Sequence, residues 1–187
     1  VPAEYAANLV PLFNTCNAGK ETVDSRWKAM IAFAPWGGES NVHDLASLKN
    51  ITIPTLYVAG DHDDISGFEQ GTKKLFENTG SEDAYLMVYE NARHNIVLHP
   101  APEVAYETEL DLGFYYEPSW NTETLNRINN HMTLAFLNCH VKSDLVFCDY
   151  LPERELSAQT KQEDGSTSEP WPGFQPRWGT GIQFIRK

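Results

Sequence analysis

Acidic residues and a histidine follow two neighbouring apolar segments of this sequence. Asp61, Asp63 and Asp64 lie in a GDHDD turn directly after the apolar residues 52–59, and His94 follows the next apolar segment, 31 residues after Asp63. If both segments are parallel strands, both turns lie at the carboxyl edge of the sheet, where open α/β sheets bind ligands. A carboxylate that orients a histidine, and a histidine that takes a proton from a hydroxyl, make a serine nucleophilic at neutral pH. The sequence therefore predicts the acid and the base of a nucleophilic hydrolase.

The serine that completes such a triad has no recognisable motif in this chain. It normally lies in a G-x-S-x-G turn between a strand and a helix, upstream of the acid and the histidine. No G-x-S-x-G occurs in the 187 residues. We therefore expect the serine to be supplied by a nucleophile-bearing upstream half or by a companion chain.

The same residues have simpler structural interpretations. Aspartates near the start of a helix accept hydrogen bonds from its unpaired amides, so the GDHDD turn could cap the following helix, and Asp64 is expected to contribute to such capping. A loop histidine such as His94 is commonly a surface residue. His62 lies beside three carboxylates, but adjacent residues of a turn point apart, so no metal site is expected there.

Three short apolar segments predict the strands that position these turns. Residues 28–34, 52–59 and 84–89 are nearly continuous apolar runs bounded by turn residues, as in parallel sheets that are covered on both faces. The intervening segments are long enough for crossover connections, so the strands are expected to be parallel neighbours. Residues 68–78 place apolar side chains on one helical face and predict a crossover helix. The expected fold class is therefore α/β, with a parallel sheet and flanking helices.

Two further helices and a tail complete the predicted organisation. Residues 101–112 and 122–141 are expected to be helical and to pack against the sheet. The first 26 residues contain no strand-like run, and three strands form a small sheet for this number of helices. We therefore expect residues 1–150 to be the C-terminal part of a larger α/β domain. Residues 151–187 are expected to form an extended tail, whose aromatic side chains should bury against other residues.

Composition excludes several classes of partner. The chain has 14 basic and 26 acidic residues, and its formal charge of −12 would repel a phosphate backbone, so no nucleic acid is expected to bind. No stretch approaches the roughly 18 apolar residues of a membrane span.

The spacing of the three cysteines matches neither a zinc site nor a C-x-x-C redox pair. Cys139 and Cys148 could form a local bridge or remain ordinary buried thiols.

Three segments of the sequence resemble a known family of enzymes. DSRWKAMIAFAPWGG is similar to the strand that follows the nucleophile helix in the dienelactone-hydrolase-like branch of the serine α/β-hydrolases. ITIPTLYVAGDHDDISG resembles the acid-bearing strand and turn of that family, and YENARHN resembles its histidine loop. Together these segments cover roughly residues 24–100. The resemblance implies that the chain is the C-terminal portion of an α/β-hydrolase fold, without the nucleophile-bearing half.

The resemblance also implies roles for individual residues. Its G-x-x-D pattern places Gly60 at the end of the strand and makes Asp63 the catalytic acid, while His94 becomes the base. Asp61 and Asp64 are the competing acids. Because the family includes esterases, the resemblance implies hydrolysis of carboxylic esters or lactones through an acyl-serine, without a cofactor or a metal. A secreted or periplasmic location is expected mainly from the same resemblance.

The substrate and an alternative function can be stated from the residues. Trp36 and Phe68 would suit an apolar acyl or aryl group of a small ester or lactone, if they line the pocket. The alternative is a non-catalytic α/β-hydrolase-like binding or scaffold domain, in which the missing serine is a true loss.

Overall fold

A mixed sheet with helices on both faces forms the centre of the computed structural model, which describes residues 24–152, 156–157, 171–173 and 175–187. Three of its strands are parallel, namely β1 (Met30–Phe33), β2 (Thr55–Gly60) and β3 (Ala84–Tyr89). β1 pairs with β2, and β2 pairs with β3 over its whole length. The predicted parallel neighbours are confirmed, and the α/β class with them.

Within the ranges that the structure describes, the α-helices are short, with one exception. They are α1 (Leu45–Leu48), α2 (Lys73–Asn78), α3 (Glu109–Gly113), α4 (Thr122–His140), α5 (Leu145–Cys148) and α6 (Pro176–Gly179). The 19-residue helix α4 confirms the prediction for this segment, and the side chain of Asn121 caps it by accepting from the amide of Thr124 at 2.9 Å.

The other two predicted helices are broken. The crossover segment begins as a π turn, Phe68–Thr72, and continues as α2, with non-helical backbone angles at Gly71 within the π turn. The segment predicted as 101–112 contains a 3-10 turn, Glu103–Glu107, and then α3, with the extended residue Thr108 between them. The sequence predicted both helical segments but not their interruptions.

The end of the chain differs from the expected extended tail. Ile182–Arg186 forms a strand, β5, that pairs antiparallel with β3, so that the tail contributes to the sheet. The two-residue strand β4 (Leu156–Ser157) pairs antiparallel with β5, and the strand order is β1-β2-β3-β5-β4. Trp171 is 4% exposed, as expected of an aromatic residue in this region. Phe174 and residues 1–23, the expected N-terminal connection, lie outside the described residues.

Each face of the sheet carries its own apolar cluster, because successive side chains of a strand point to opposite faces. On β2, Leu56 and Val58 belong to the cluster under α4, while Tyr57 belongs to the cluster under α2. β2 and β3 are buried along their whole length, as a parallel strand covered on both faces should be. All four residues of β1 are half-buried, and among the described residues only β2 pairs with this strand.

Two observations concern the environment of the protein. Cys139, near the end of α4, forms a disulfide with Cys148 at the end of α5, which decides between the two states that the sequence left open. Disulfides persist in oxidising compartments, so this bridge hints at such a compartment. Within the described part of the chain, no helix has the length and apolar character needed to cross a membrane.

Helix α4 offers a matched test of this packing. Phe136 is completely buried and makes an edge-on contact with the ring of Tyr85 on β3. Phe136→Ala is expected to lower the free energy of unfolding by about 3–5 kcal/mol, because it leaves a cavity between helix and sheet. Leu134, on the same helix, is 59% exposed, and Leu134→Ala should change stability by less than about 0.5 kcal/mol. Urea denaturation measures both, and equal effects would contradict this packing of α4.

Candidate active site

The acid turn is held by the backbone that surrounds it. After β2 ends at Gly60, the amide of Asp63 donates to the carbonyl of Gly60 at 3.3 Å. One carboxylate oxygen of Asp63, Oδ1, then accepts from the amides of Ile65 and Ser66 at 2.9 and 2.8 Å. Such side-chain bonds to amides two and three residues ahead are typical of aspartate turns. They fix the orientation of the carboxylate of Asp63, whose side chain is fully buried.

The histidine turn brings its ring onto this carboxylate. His94 Nδ1 lies 3.1 Å from Oδ1 and 3.1 Å from Oδ2 of Asp63. The predicted contact between the two residues is therefore confirmed. The side chain of His94 is 33% exposed, in contrast to that of its partner. With Nδ1 held by the acid, Nε2 is the ring nitrogen that remains to exchange a proton with another molecule or group.

The two competing acids have other partners. The side chain of Asp61 accepts from the amide of Asn91 at 2.6 Å, which ties the acid turn to the turn after β3. Asp64 forms an ion pair with Arg93. The hydrogen bond from the Arg93 guanidinium lowers the pKa of the Asp64 carboxyl. Because this pKa is lowered by folding, the stabilisation is present above the usual aspartate pKa and is lost as the pH falls through the lowered value.

Gly60 allows the two turns to approach each other. A Cβ atom at this position would lie 2.3 Å from the carbonyl oxygen of Ala92 and 2.4 Å from that of Arg93. Both contacts are with backbone atoms, which cannot move aside as a flexible side chain can. The amide of His62 also donates to the carbonyl of Ala92 at 3.0 Å. The glycine at the end of β2 is therefore required by the close approach of the histidine turn.

A substitution at Gly60 tests this account. Gly60→Ala is expected to push the backbone around Ala92 away, to separate His94 from Asp63 and to lower the free energy of unfolding by about 1–3 kcal/mol. The far-downfield proton signal of His94 Nδ1–H in NMR spectra should weaken or disappear. Gly113→Ala is the control, since a Cβ there would meet no atom within 4 Å. An unchanged Nδ1–H signal in Gly60→Ala would show that the histidine turn does not require a glycine at this position.

The two predicted substrate-binding residues lie in different surroundings. Trp36 follows β1, at the same edge of the sheet as Asp63 and His94, and is 59% exposed. Phe68 is partly buried against the apolar cluster under α2, with Lys73 Nζ 6.0 Å from the centre of its ring. The exit of β1 is joined to the acid turn by Ser66, whose buried hydroxyl donates to the carbonyl of Ala34 at 2.9 Å.

Two residues that the sequence analysis did not select also hold the histidine turn. Asn95 donates through Nδ2 to the carbonyls of Gly113 and Tyr116, at 2.9 and 3.2 Å. Glu117 is only 2% exposed, and its carboxylate accepts from the amide of Arg93. One signal in the sequence could have identified Glu117. It is the single acid of the aromatic stretch FYYEPSW, and such surroundings are unusual for a glutamate on the surface.

Comparison with known proteins adds no assignment. No protein-family model matches the chain, and a search of curated proteins finds no significantly similar sequence. The roles of Asp63 and His94 are therefore inferred from their chemistry and from the geometry described above.

Proposed function

We propose that this chain supplies the catalytic acid, Asp63, and the catalytic base, His94, of a serine hydrolase that acts on carboxylic esters or lactones. The observation that carries the proposal is the contact of His94 Nδ1 with both oxygens of a buried carboxylate, at the carboxyl ends of two parallel strands. This is the arrangement by which an acid orients a histidine as a general base.

The proposed reaction uses both residues twice. His94 Nε2 takes the proton of a serine hydroxyl as the serine oxygen attacks the ester carbonyl, and Asp63 stabilises the imidazolium that forms. The imidazolium then gives its proton to the departing alkoxide, so that an acyl-serine remains and the alcohol leaves an ester, or stays on the acyl chain of an opened lactone. Water attacks the acyl-serine with the same proton transfers and releases the carboxylic acid. The chain's own residues require no cofactor for these steps.

The serine is proposed to belong to a nucleophile-bearing upstream half or to a companion chain. In the dienelactone-hydrolase-like family that the sequence resembles, β1 would correspond to the strand that follows the nucleophile helix. Two features support a partner on this side of the sheet. The outer edge of β1 is unpaired among the described residues, and its side chains are only half-buried. A parallel edge strand of this kind is normally covered.

The substrate and the location of the protein are proposed from the same features. The exposed indole of Trp36, beside the carboxyl end of β1, suits an apolar acyl or aryl group. Phe68, which is partly buried against the cluster under α2, would add apolar surface for the same group. The disulfide between Cys139 and Cys148 supports a secreted or periplasmic location.

The alternative proposal is a non-catalytic binding or scaffold domain. The absence of a G-x-S-x-G motif from the 187 residues favours it, because acid and histidine would then remain without a nucleophile. The two proposals differ in what the protein purified from its natural source should contain. Intact mass and N-terminal sequencing would reveal a longer polypeptide or a companion chain that carries the motif, or would show that neither exists.

Activity measurements complete the test. The isolated chain is expected to hydrolyse a nitrophenyl acyl ester no faster than background. The protein assembled with its nucleophile-bearing part should hydrolyse the same ester with saturable kinetics and should react covalently with a fluorophosphonate at serine. Saturable turnover by the isolated chain, or an inactive assembled protein, would overturn the proposed mechanism.

A further inference from the structure

Glu117 is a buried carboxylate next to the candidate site that the proposed reaction does not use. It is 2% exposed and lies between α3 and α4. Its two oxygens are both occupied, since Oε2 accepts from the amide of Arg93 at 2.9 Å and Oε1 accepts from the amide of Ser119 at 2.9 Å. A buried charge is unfavourable unless such partners compensate it. The buried carboxylate of Glu117 is therefore held by two specific backbone amides.

The first of these amides belongs to the residue that precedes His94. Arg93 is held twice, by its backbone to Glu117 and by its guanidinium to Asp64, the residue that follows Asp63. The charge of Glu117 also interacts favourably with that of Arg93, although Asp64 has the larger effect on the guanidinium. Arg93 thus connects the acid turn, the histidine turn and the segment before α4.

We propose that Glu117 is a positioning residue that holds His94 against Asp63 through the backbone amide of Arg93. This inference rests on the proposed function for its catalytic meaning. In this role Glu117 is a second acid of the site, one that touches no substrate and transfers no proton. Small displacements of a catalytic group are sufficient to slow a reaction greatly, so a fixed backbone beside His94 matters for rate.

The substitution Glu117→Gln keeps the size of the side chain and removes its charge and one of its two acceptors. Glutamine has the same size, but it has one acceptor oxygen and one NH₂ group in place of two acceptor oxygens. Whichever way it is oriented, its NH₂ group faces the N–H of either Arg93 or Ser119, donor against donor. The amide of Arg93 is then held less firmly, or the turn before α4 shifts. Glu107→Gln, an exposed acid in the preceding 3-10 turn, is the matched control.

The isolated chain is sufficient for the first measurement. The NMR signal of His94 Nδ1–H reports its hydrogen bond to Asp63 and requires no nucleophile. It should weaken or broaden in Glu117→Gln at a temperature where the variant is fully folded, and it should be unchanged in Glu107→Gln. If Glu117→Gln folds and its Nδ1–H signal is unchanged, Glu117→Met, whose side chain carries no oxygen to accept from either amide, decides the case, and an unchanged signal in folded Glu117→Met would overturn the proposal. If neither variant folds, Glu117→Asp replaces them. It keeps the charge but draws the carboxylate back from the amide of Arg93, so the Nδ1–H signal should weaken, and an unchanged signal would overturn the proposal.

The second measurement uses the assembled esterase. Glu117→Gln is expected to lower kcat by up to about 10²-fold with little change in KM, because the geometry of proton transfer is disturbed and the substrate pocket is not. An increase in KM at unchanged kcat would contradict a positioning role. If the assembled protein has no esterase activity at all, the proposed function fails, but the NMR comparison still decides whether Glu117 holds His94 against Asp63.

Discussion

His94→Ala is expected to lower the kcat of the assembled esterase by several orders of magnitude, on the order of 10⁴-fold or more. Without the imidazole, no group at the site can take the proton of the serine as it attacks, and none can return it to the leaving alkoxide. Only binding and electrostatic stabilisation by the rest of the site would remain. Initial rates with a nitrophenyl acyl ester, before and after the substitution, measure the effect.

A second histidine provides the control for this substitution. His99 is exposed and lies five residues beyond His94, and the structure places it outside the contact with Asp63. His99→Ala should therefore leave kcat and KM unchanged. If His94→Ala left the rate of an active assembled protein unchanged, the serine-hydrolase mechanism would have to be abandoned.

Asp63→Asn is expected to lower kcat by about 10⁴-fold while the fold is retained. The asparagine carbonyl can still accept from the amides of Ile65 and Ser66, which keeps the turn in place. Its NH₂ group then faces His94 Nδ1 and donates to it, so the ring carries its proton on Nε2 instead. In this tautomer Nε2 cannot act as a base, and a neutral amide cannot stabilise an imidazolium.

The tautomer gives a measurement that is independent of activity. Nitrogen chemical shifts of His94 should show a protonated Nδ1 in the unchanged chain and a protonated Nε2 in Asp63→Asn. Asp83→Asn is the control, because Asp83 precedes β3 at the opposite end of that strand and pairs with Arg186. Retention of full activity by Asp63→Asn, with an unchanged tautomer, would exclude Asp63 as the orienting acid.

The strands and the long helix could be predicted from the sequence because their signals are local. A short apolar run between turn residues suffices to identify β2 or β3, and the apolar positions of α4 repeat with the helical period. Parallel pairing followed from the length of the connections. The position of acid and histidine at one edge followed from parallel pairing, so spacing predicted that one of the three acids of the GDHDD turn lies close to His94.

Several features depend on tertiary contacts that the sequence left open or did not indicate. Five residues near the end of the chain carry little periodicity, and only pairing with the free side of β3 makes them the strand β5. The bridge between Cys139 and Cys148 requires the turn after α4 to bring the two thiols together. Burial of Glu117 depends on two amides that no sequence pattern relates to it.

By itself, the sequence determined that a carboxylate and a histidine follow adjacent strands, and it restricted the acid to Asp61, Asp63 or Asp64. The tertiary structure decided among these three. Adjacent residues of a tight turn point in different directions, so backbone hydrogen bonds direct Asp63 toward His94 and leave Asp64 to Arg93. Gly60 then admits the histidine turn to within hydrogen-bonding distance, because only a residue without a Cβ fits beneath the carbonyls of Ala92 and Arg93.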